Sequence, residues 1–158
     1  MQITKIKIKD DKVEIHYSVK RSVEDASGAM IKHTDEYVFK STEKPAPEFK
    51  AILQDLAEDV CNILELDDNY ITGIEVTGVS FSYTSDVMGA VITAKKTLVN
   101  TYSPFNLNTP FKPSKDYNGN DDANTNLLDT TTVTKLENLL AEAEDYINGK
   151  RAQEGLFD

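Results

Sequence analysis

The sequence has no tryptophan, one cysteine and only two histidines among its 158 residues. A single cysteine cannot form a disulfide within the chain, so a disulfide-stapled secreted domain is excluded and a cytoplasmic setting is expected. Cys61 lies among Val60, Ile63 and Leu64, a setting that favours a buried thiol over a reactive one.

Long apolar runs are also missing. No stretch approaches the roughly 20 consecutive apolar residues that a membrane-spanning helix needs. The first residues, 1–5, show no apolar region of the signal-peptide kind. We therefore expect a soluble cytoplasmic protein with no membrane association.

Few residues are available for nucleophilic catalysis. His16 and His33 are the only imidazoles, and both lie in polar or charged stretches typical of surface positions. No nucleophile elbow, Walker motif or dinucleotide-binding glycine pattern is present. The sequence predicts no enzyme activity and no cofactor.

One acidic loop has alternating oxygen ligands. Asp116, Asn118 and Asn120 match the first positions of a calcium-binding EF-hand loop. The sixth position, which needs glycine, is Asp121, and the twelfth, which needs a bidentate glutamate, is Leu127. The loop is therefore interpreted as a solvated polar segment, and no metal site is predicted.

Charge is unevenly distributed along the chain. Residues 1–50 hold 10 Lys/Arg against 9 Asp/Glu, and residues 51–158 hold 7 against 18, within a net charge of −10. Such an acidic second half repels phosphates, which makes general binding of duplex nucleic acid an unfavourable interpretation.

Hydrophobic periodicity predicts an α+β fold. Period-2 alternation indicates strands at about 4–9, 12–20, 30–40, 74–83 and 90–102, with a β-bulge near Gly78. Helical spacing runs from Pro47, as the first helical residue, to Leu66. A second helix, with a Thr134/Glu137 capping box, is predicted to end at Gly149.

The predicted fold class is therefore a mostly antiparallel sheet of about five strands, in the order β-β-β-α-β-β-α, with both helices on one face. Residues 1–149 are expected to form a single domain. A proline- and asparagine-rich stretch at about 112–131 is predicted to be a mobile loop, and residues 150–158 an exposed C-terminal tail.

Lysines and aromatic residues on the strands raise the alternative of single-stranded nucleic-acid binding. The candidate basic groove consists of Lys5, Lys7, Lys9, Lys95 and Lys96. The strand aromatics are Tyr17, Tyr37, Phe39, Phe81, Tyr83 and Tyr102. Most of these share parity with the aliphatic residues, so core placement is the favoured interpretation.

The last six residues carry the most specific motif. Gln153, Leu156 and Phe157 resemble the Gln-x-x-Leu-Phe peptides by which bacterial polymerases, repair proteins and some phage proteins dock on the sliding clamp. The resemblance implies a glutamine at the rim of the clamp pocket and a Leu-Phe pair inside an apolar cleft. The chain departs from commoner versions at Glu154 and Gly155. The structural alternative is that Leu156 and Phe157 pack back onto the sheet.

The leading hypothesis from sequence is a non-enzymatic accessory protein of bacterial or phage DNA metabolism, recruited to a protein partner through this tail. An alternative from another class is an acidic inhibitor whose second half, residues 51–158, mimics nucleic acid towards a basic host protein.

Overall fold

Two tight turns between alternating strands generate the hairpins from which the sheet is built. In the computed structural model, which describes residues 1–153, the central pairs Asp10-Asp11 and Ser85-Asp86 all have positive φ, between 50° and 63°. Positive φ at both central residues defines the type I′ turn, whose twist matches that of antiparallel strands. These turns join β-strands that the sequence predicts, at about 4–9 and 12–20 and at about 74–83 and 90–102.

The elements follow one another along residues 1–153 as strands, helices and strands with a final helix. They are β1 (Gln2–Lys9), β2 (Lys12–Glu24), β3 (Met30–Ser41), α1 (Pro47–Asp55), α2 (Ala57–Ile63), β4 (Ile74–Thr84), β5 (Val87–Lys96), β6 (Phe105–Asn108), β7 (Lys112–Pro113) and α3 (Thr130–Ile147). The sheet is antiparallel with the order β3-β2-β1-β4-β5-β6, and β7 pairs with a different part of β5. The α+β class and the antiparallel sheet are confirmed.

One face of the sheet carries the hydrophobic core. Alternate strand residues on this face are apolar and buried: Ile6, Ile8, Val13, Ile15, Val79, Phe81, Ala90 and Ile92. The helices pack over them with Phe49, Leu53, Leu56, Val60, Leu136, Leu139 and Tyr146. The other face has no helix over it among the described residues, so the molecule is a two-layer structure with one open sheet face.

The predicted bulge near Gly78 is confirmed. The register of β4 with β5 shifts between Val76 and Gly78, and the intervening Thr77 donates its hydroxyl to Thr93 O. A Cβ at Gly78 would lie 2.7 Å from Ile6 O of the neighbouring strand, so glycine allows this close approach.

The first helical region is not continuous. Leu56 separates α1 from α2, and its N–H donates to Leu53 O at 3.2 Å, a tighter i→i−3 bond. Pro47 is the first residue of α1, as predicted. The break is not visible in the sequence, because neither proline nor glycine marks it.

The last helix begins four residues before the predicted capping box. Asp129 is its N-cap, and Thr134 lies inside the helix with its hydroxyl bonded to Thr130 O. Its end is confirmed: Gly149 has a φ of 113°, Gly149 N–H donates to Tyr146 O and Lys150 N–H donates to Asp145 O. This pair of bonds is a Schellman motif.

The stretch after β5 holds more regular structure than the sequence predicts. The fifth strand ends at Lys96 instead of Tyr102, and the short strands β6 and β7 follow. Within residues 112–131 the structure places β7, a 3₁₀ turn at Asp121–Ala123 and the start of α3, and Leu128 is buried. Strands of two to four residues are too short to show a period.

None of the helices within residues 1–153 combines the length and the apolar character that crossing a membrane requires.

Candidate functional sites

The segment that precedes the clamp-like motif is anchored to the body. Arg151 donates from Nε to Glu43 Oε2 at 2.5 Å and from Nη1 to Tyr146 O, and its guanidinium lies 3.7 Å from the centre of the Tyr146 ring. Ala152 N–H donates to Lys44 O at 2.9 Å. The prediction of a free peptide from residue 150 is therefore wrong for these residues, because cation–π stacking and hydrogen bonds hold them.

The motif itself begins directly beyond this anchor. Gln153 is exposed. Leu156 and Phe157 lie outside the described residues. The predicted motif therefore starts one residue after the last anchored one.

The predicted lysines of the first strand lie on the open face. Lys5, Lys7 and Lys9 alternate with the buried Ile6 and Ile8, so they project away from the helices. The register extends this set, and the open-face lysines of the strands are Lys5, Lys7, Lys9, Lys12, Lys20, Lys32, Lys40 and Lys95. This face is a basic surface on an acidic protein.

Lys96 does not belong to this surface. It has the opposite parity to Lys95 and its Nζ lies 4.8 Å from the centre of the Tyr70 ring, on the helix side of the sheet. The predicted grouping of Lys95 with Lys96 is therefore wrong, because adjacent residues of a strand point to opposite faces.

The strand aromatics also lie on the helix side. Tyr17 stacks on Tyr37, with ring centres 5.2 Å apart, and Phe39 meets Tyr146 edge to face. Phe81 is buried, and Tyr83 donates its hydroxyl to Ile3 O at 2.8 Å. The lysines and these aromatics occupy opposite faces, so they do not form one stacking platform.

Tyr102 is the exception among the predicted aromatics. It lies in the loop after β5 and is fully exposed. Together with Lys9, Glu75 and Lys95 it lines a groove of about 330 Å³. A second groove, of about 680 Å³, is lined by Lys7, Lys9, Lys12 and Lys40 together with Glu14 and Glu43. The larger groove thus has an excess of lysines, whereas the groove beside Tyr102 balances Lys9 and Lys95 against Asp10 and Glu75.

Glu14 partly neutralises this surface. It lies 3.2 Å from His16 Nε2 and 3.3 Å from Lys40 Nζ. The hydrogen bond with His16, followed by that from Lys40, holds the pKa of Glu14 below its ordinary value. The Glu14 carboxylate therefore stays ionised and contacts both the His16 ring and the Lys40 ammonium group.

The helical layer has the opposite charge. Residues 47–68 and 130–147 contain 11 Asp/Glu against 2 Lys/Arg. Each layer has the charge that one of the two alternative functions requires. The cationic sheet face suits a nucleic acid, and the anionic helical layer suits a basic protein. The charge imbalance between the halves is visible in the sequence, but its placement on faces depends on the sheet register.

A buried charge cluster joins α2 to α3. Asp59 is 5% exposed, accepts a hydrogen bond from Lys135 Nζ at 2.7 Å and another from the Thr132 hydroxyl. Burial lowers the pKa of Lys135, but the hydrogen bond and charge of Asp59, with the charge of Asp55, outweigh it and leave that pKa raised. Helical periodicity alone does not indicate this burial, because Asp59 lies beside the apolar stripe and not on it.

The acidic loop is organised by its own carboxylate. Asp116 accepts hydrogen bonds from the N–H groups of Asn118 and Asn120 and from the side chain of Asn124, which together lower its pKa. Within the described residues, no group of three or more His, Cys, Asp or Glu side chains is placed to hold a metal ion.

The remaining candidate nucleophile and base are separate. Cys61 is fully buried, and burial raises the pKa of its thiol. His33 Nε2 lies 3.1 Å from Asp35 Oδ1 on an edge strand.

Comparison with protein-family models, with curated proteins and with solved structures gives no significant match to this chain.

Proposed function

We propose that the protein is a non-enzymatic accessory factor of bacterial or phage DNA metabolism that docks on a protein partner, the sliding clamp, through residues 153–158. The observation that carries the proposal is the position of the motif: the chain is held to the body through Ala152, and the exposed Gln153 follows at once. A peptide that begins at a fixed point on a rigid domain presents its anchor residues with a defined reach.

The anchor also supports the proposal energetically. Arg151 is held by Glu43 and Tyr146, so the residues next to the motif are already ordered before binding. Ordering fewer residues on binding reduces the entropy cost that short flexible peptides otherwise incur. The aromatic Phe157 and the neighbouring Leu156 are the residue types that fill apolar pockets at interaction hot spots.

Isothermal titration calorimetry of the full chain with a bacterial sliding clamp tests this function. We expect micromolar binding, weakened at least about tenfold by Phe157→Ala or Leu156→Ala, because truncation of a hot-spot residue costs about 2 kcal/mol or more. Val99→Ala is the matched control, since Val99 is 97% exposed on a loop of the body. Absence of binding at high-micromolar concentrations would contradict the clamp as partner.

A second candidate function is binding of a single-stranded nucleic acid along the open face. The groove that brings Lys9 and Lys95 to the exposed Tyr102 favours it, because phosphates and bases are recognised by such cation–aromatic sets. An electrophoretic mobility shift with a single-stranded oligonucleotide at low salt tests it, and absence of any shift would exclude it. This activity is compatible with recruitment through residues 153–158.

A further inference from the structure

The strand β3 forms one edge of the sheet and has no neighbour on its outer side among the described residues. It pairs with β2 over twelve consecutive residue pairs, from Glu24↔Met30 to Val13↔Ser41, without a register shift. It contains neither proline nor glycine. Natural edge strands avoid pairing by proline, bulges, short length or charged side chains, and of these devices β3 has only the charges.

Two pairs of exposed apolar residues also lie on β3. Met30 is 66% exposed, Ile31 47%, Tyr37 46% and Val38 55%. These residues flank the charged centre of the strand, Lys32 to Glu36, on both sides. The pattern from Met30 to Val38 therefore reads apolar, apolar, basic, basic, threonine, acidic, acidic, apolar, apolar.

This pattern is self-complementary under a two-fold axis at Thr34. Antiparallel pairing of two β3 strands about that axis places Lys32 opposite Glu36 and His33 opposite Asp35, each twice. The same register places Met30 opposite Val38 and Ile31 opposite Tyr37. Opposed pairs of this kind stabilise antiparallel strands, whereas like charges directly opposite destabilise them.

Neighbouring registers lack this complementarity. Paired residues of antiparallel strands point to the same face, so a symmetric pairing must be centred on a residue. Centring on Asp35 sets that carboxylate against its own copy, and centring on Glu36 sets Glu36 against itself and Lys32 against Lys40. Centring on His33 leaves Ile31 opposite Asp35 and Met30 opposite Glu36.

Two of the charges that the pairing uses, Lys32 and Glu36, lack an ion pair in their own chain, whereas Asp35 already pairs with Arg21 and His33. Within residues 1–153, the cross-strand neighbour of Lys32 is Ser22 and that of Glu36 is Ser18, and neither charge forms a salt bridge. We propose that β3 is a homodimerisation edge, whose occupant is β3 of a second copy of this chain, antiparallel and centred on Thr34. The two sheets then form one continuous sheet across an isologous interface.

Charge exchange at the edge tests the proposal. By sedimentation equilibrium we expect the full chain to have twice its mass of 17.6 kDa. Lys32→Glu or Glu36→Lys should each raise the dimer dissociation constant at least tenfold, because each creates two like-charge pairs. The double variant Lys32→Glu/Glu36→Lys should restore the dimer, since it re-forms the pairs with the signs exchanged.

The matched control is Lys20→Glu, which changes an exposed lysine on the same face of the inner strand β2 and should leave the mass unchanged. A monomer at about 100 μM wild-type chain would overturn the proposal. So would a double variant that fails to recover the dimer, or single variants that dimerise normally.

A cysteine scan tests the register independently. Thr34→Cys places two thiols directly opposite at a Cα separation of about 5 Å, within the range of a disulfide, so oxidation should give a covalent dimer. Glu36→Cys separates its two copies by about four residues, or roughly 13 Å, and should not cross-link. The reverse pattern would overturn the Thr34 register. The buried Cys61 does not compete for oxidation.

Discussion

Glu65 adopts a backbone conformation that suits glycine. Its φ is 57°, and it occupies the position after the C-cap of α2, where Glu65 N–H donates to Asn62 O and Leu66 N–H donates to Cys61 O. The same two bonds end α3, but there the residue in the left-handed region is Gly149. Two helices of one chain thus use one terminating motif with different residues.

Glu65→Gly is therefore expected to stabilise the protein by about 0.5–1 kcal/mol, because glycine adopts positive φ without the penalty that a Cβ imposes. Urea-induced unfolding followed by circular dichroism measures the change. Glu65→Ala is the matched control, since it removes the same charge but keeps the Cβ. An equal gain from alanine would show that charge, and not backbone conformation, causes the effect.

At the scale of elements, α2 and α3 are joined by the buried pair of Asp59 and Lys135. The Lys135 side chain is 15% exposed and that of Asp59 is 6% exposed. Removing one partner of a buried pair leaves the other charge without compensation, which costs far more than losing an exposed pair. This contact fixes how the last helix sits against the first helical region.

Lys135→Met should accordingly lower the free energy of unfolding by about 3 kcal/mol. Lys50→Met is the matched control: the pair of Lys50 with Asp11 is exposed, at 49% and 42%, and its loss should cost less than about 1 kcal/mol. Similar losses in both variants, measured by urea unfolding, would contradict the assigned role of the buried pair.

The same pair predicts a pH dependence. Because the pKa of Lys135 is raised from its ordinary value of 10.5, its stabilising contribution is complete below pH 10.5 and is lost as the pH rises through the folded-state pKa. The stability difference between wild type and Lys135→Met should therefore be constant at neutral pH and shrink in strong alkali.

Local signals in the sequence predicted some elements well. The bulge at Gly78, the start of α1 at Pro47 and the end of α3 at Gly149 each depend on one residue with special backbone geometry. Other features depend on contacts between distant residues. The short strands β6 and β7 exist because β5 pairs with them, and a two- or four-residue segment shows no period of its own.

The candidate site was predictable only in part. The motif at Gln153 and the outward lysines of β1 follow from the sequence pattern. The anchor of Arg151 on Tyr146 and Glu43 does not, because those residues meet only after the helix has packed against the sheet. The burial of Asp59 is not predictable from the sequence for the same reason, because it depends on the position of α3.

At the scale of the whole molecule, the separation of charge into two layers has the most direct functional meaning. The open sheet face carries eight lysines, and the helical layer, residues 47–68 and 130–147, carries 11 Asp/Glu against 2 Lys/Arg. A polyanion therefore meets attraction from one side and repulsion from the other, which orients it before any specific contact forms.

Neighbouring lysines on opposite faces allow a sharp test. Lys95→Glu should weaken the retention of a single-stranded oligonucleotide at low salt. It should also make the association constant less dependent on salt, because the slope of its logarithm against log salt concentration is about −0.7 for each phosphate contacted. Lys96→Glu makes the same change in net charge on the helix side and should have little effect. Equal losses from both variants would indicate a response to net charge alone.

The anchor of residues 151 and 152 has a mechanical consequence. Under the proposed docking, tension on residues 153–158 would not reach the fold through the end of α3 alone. It is shared with the linker between β3 and α1 through the Ala152–Lys44 hydrogen bond and the Arg151–Glu43 pair. The Tyr146 hydroxyl, bonded to Glu43 O, ties that linker to the helix, so the pulling force is spread over two elements at their junction.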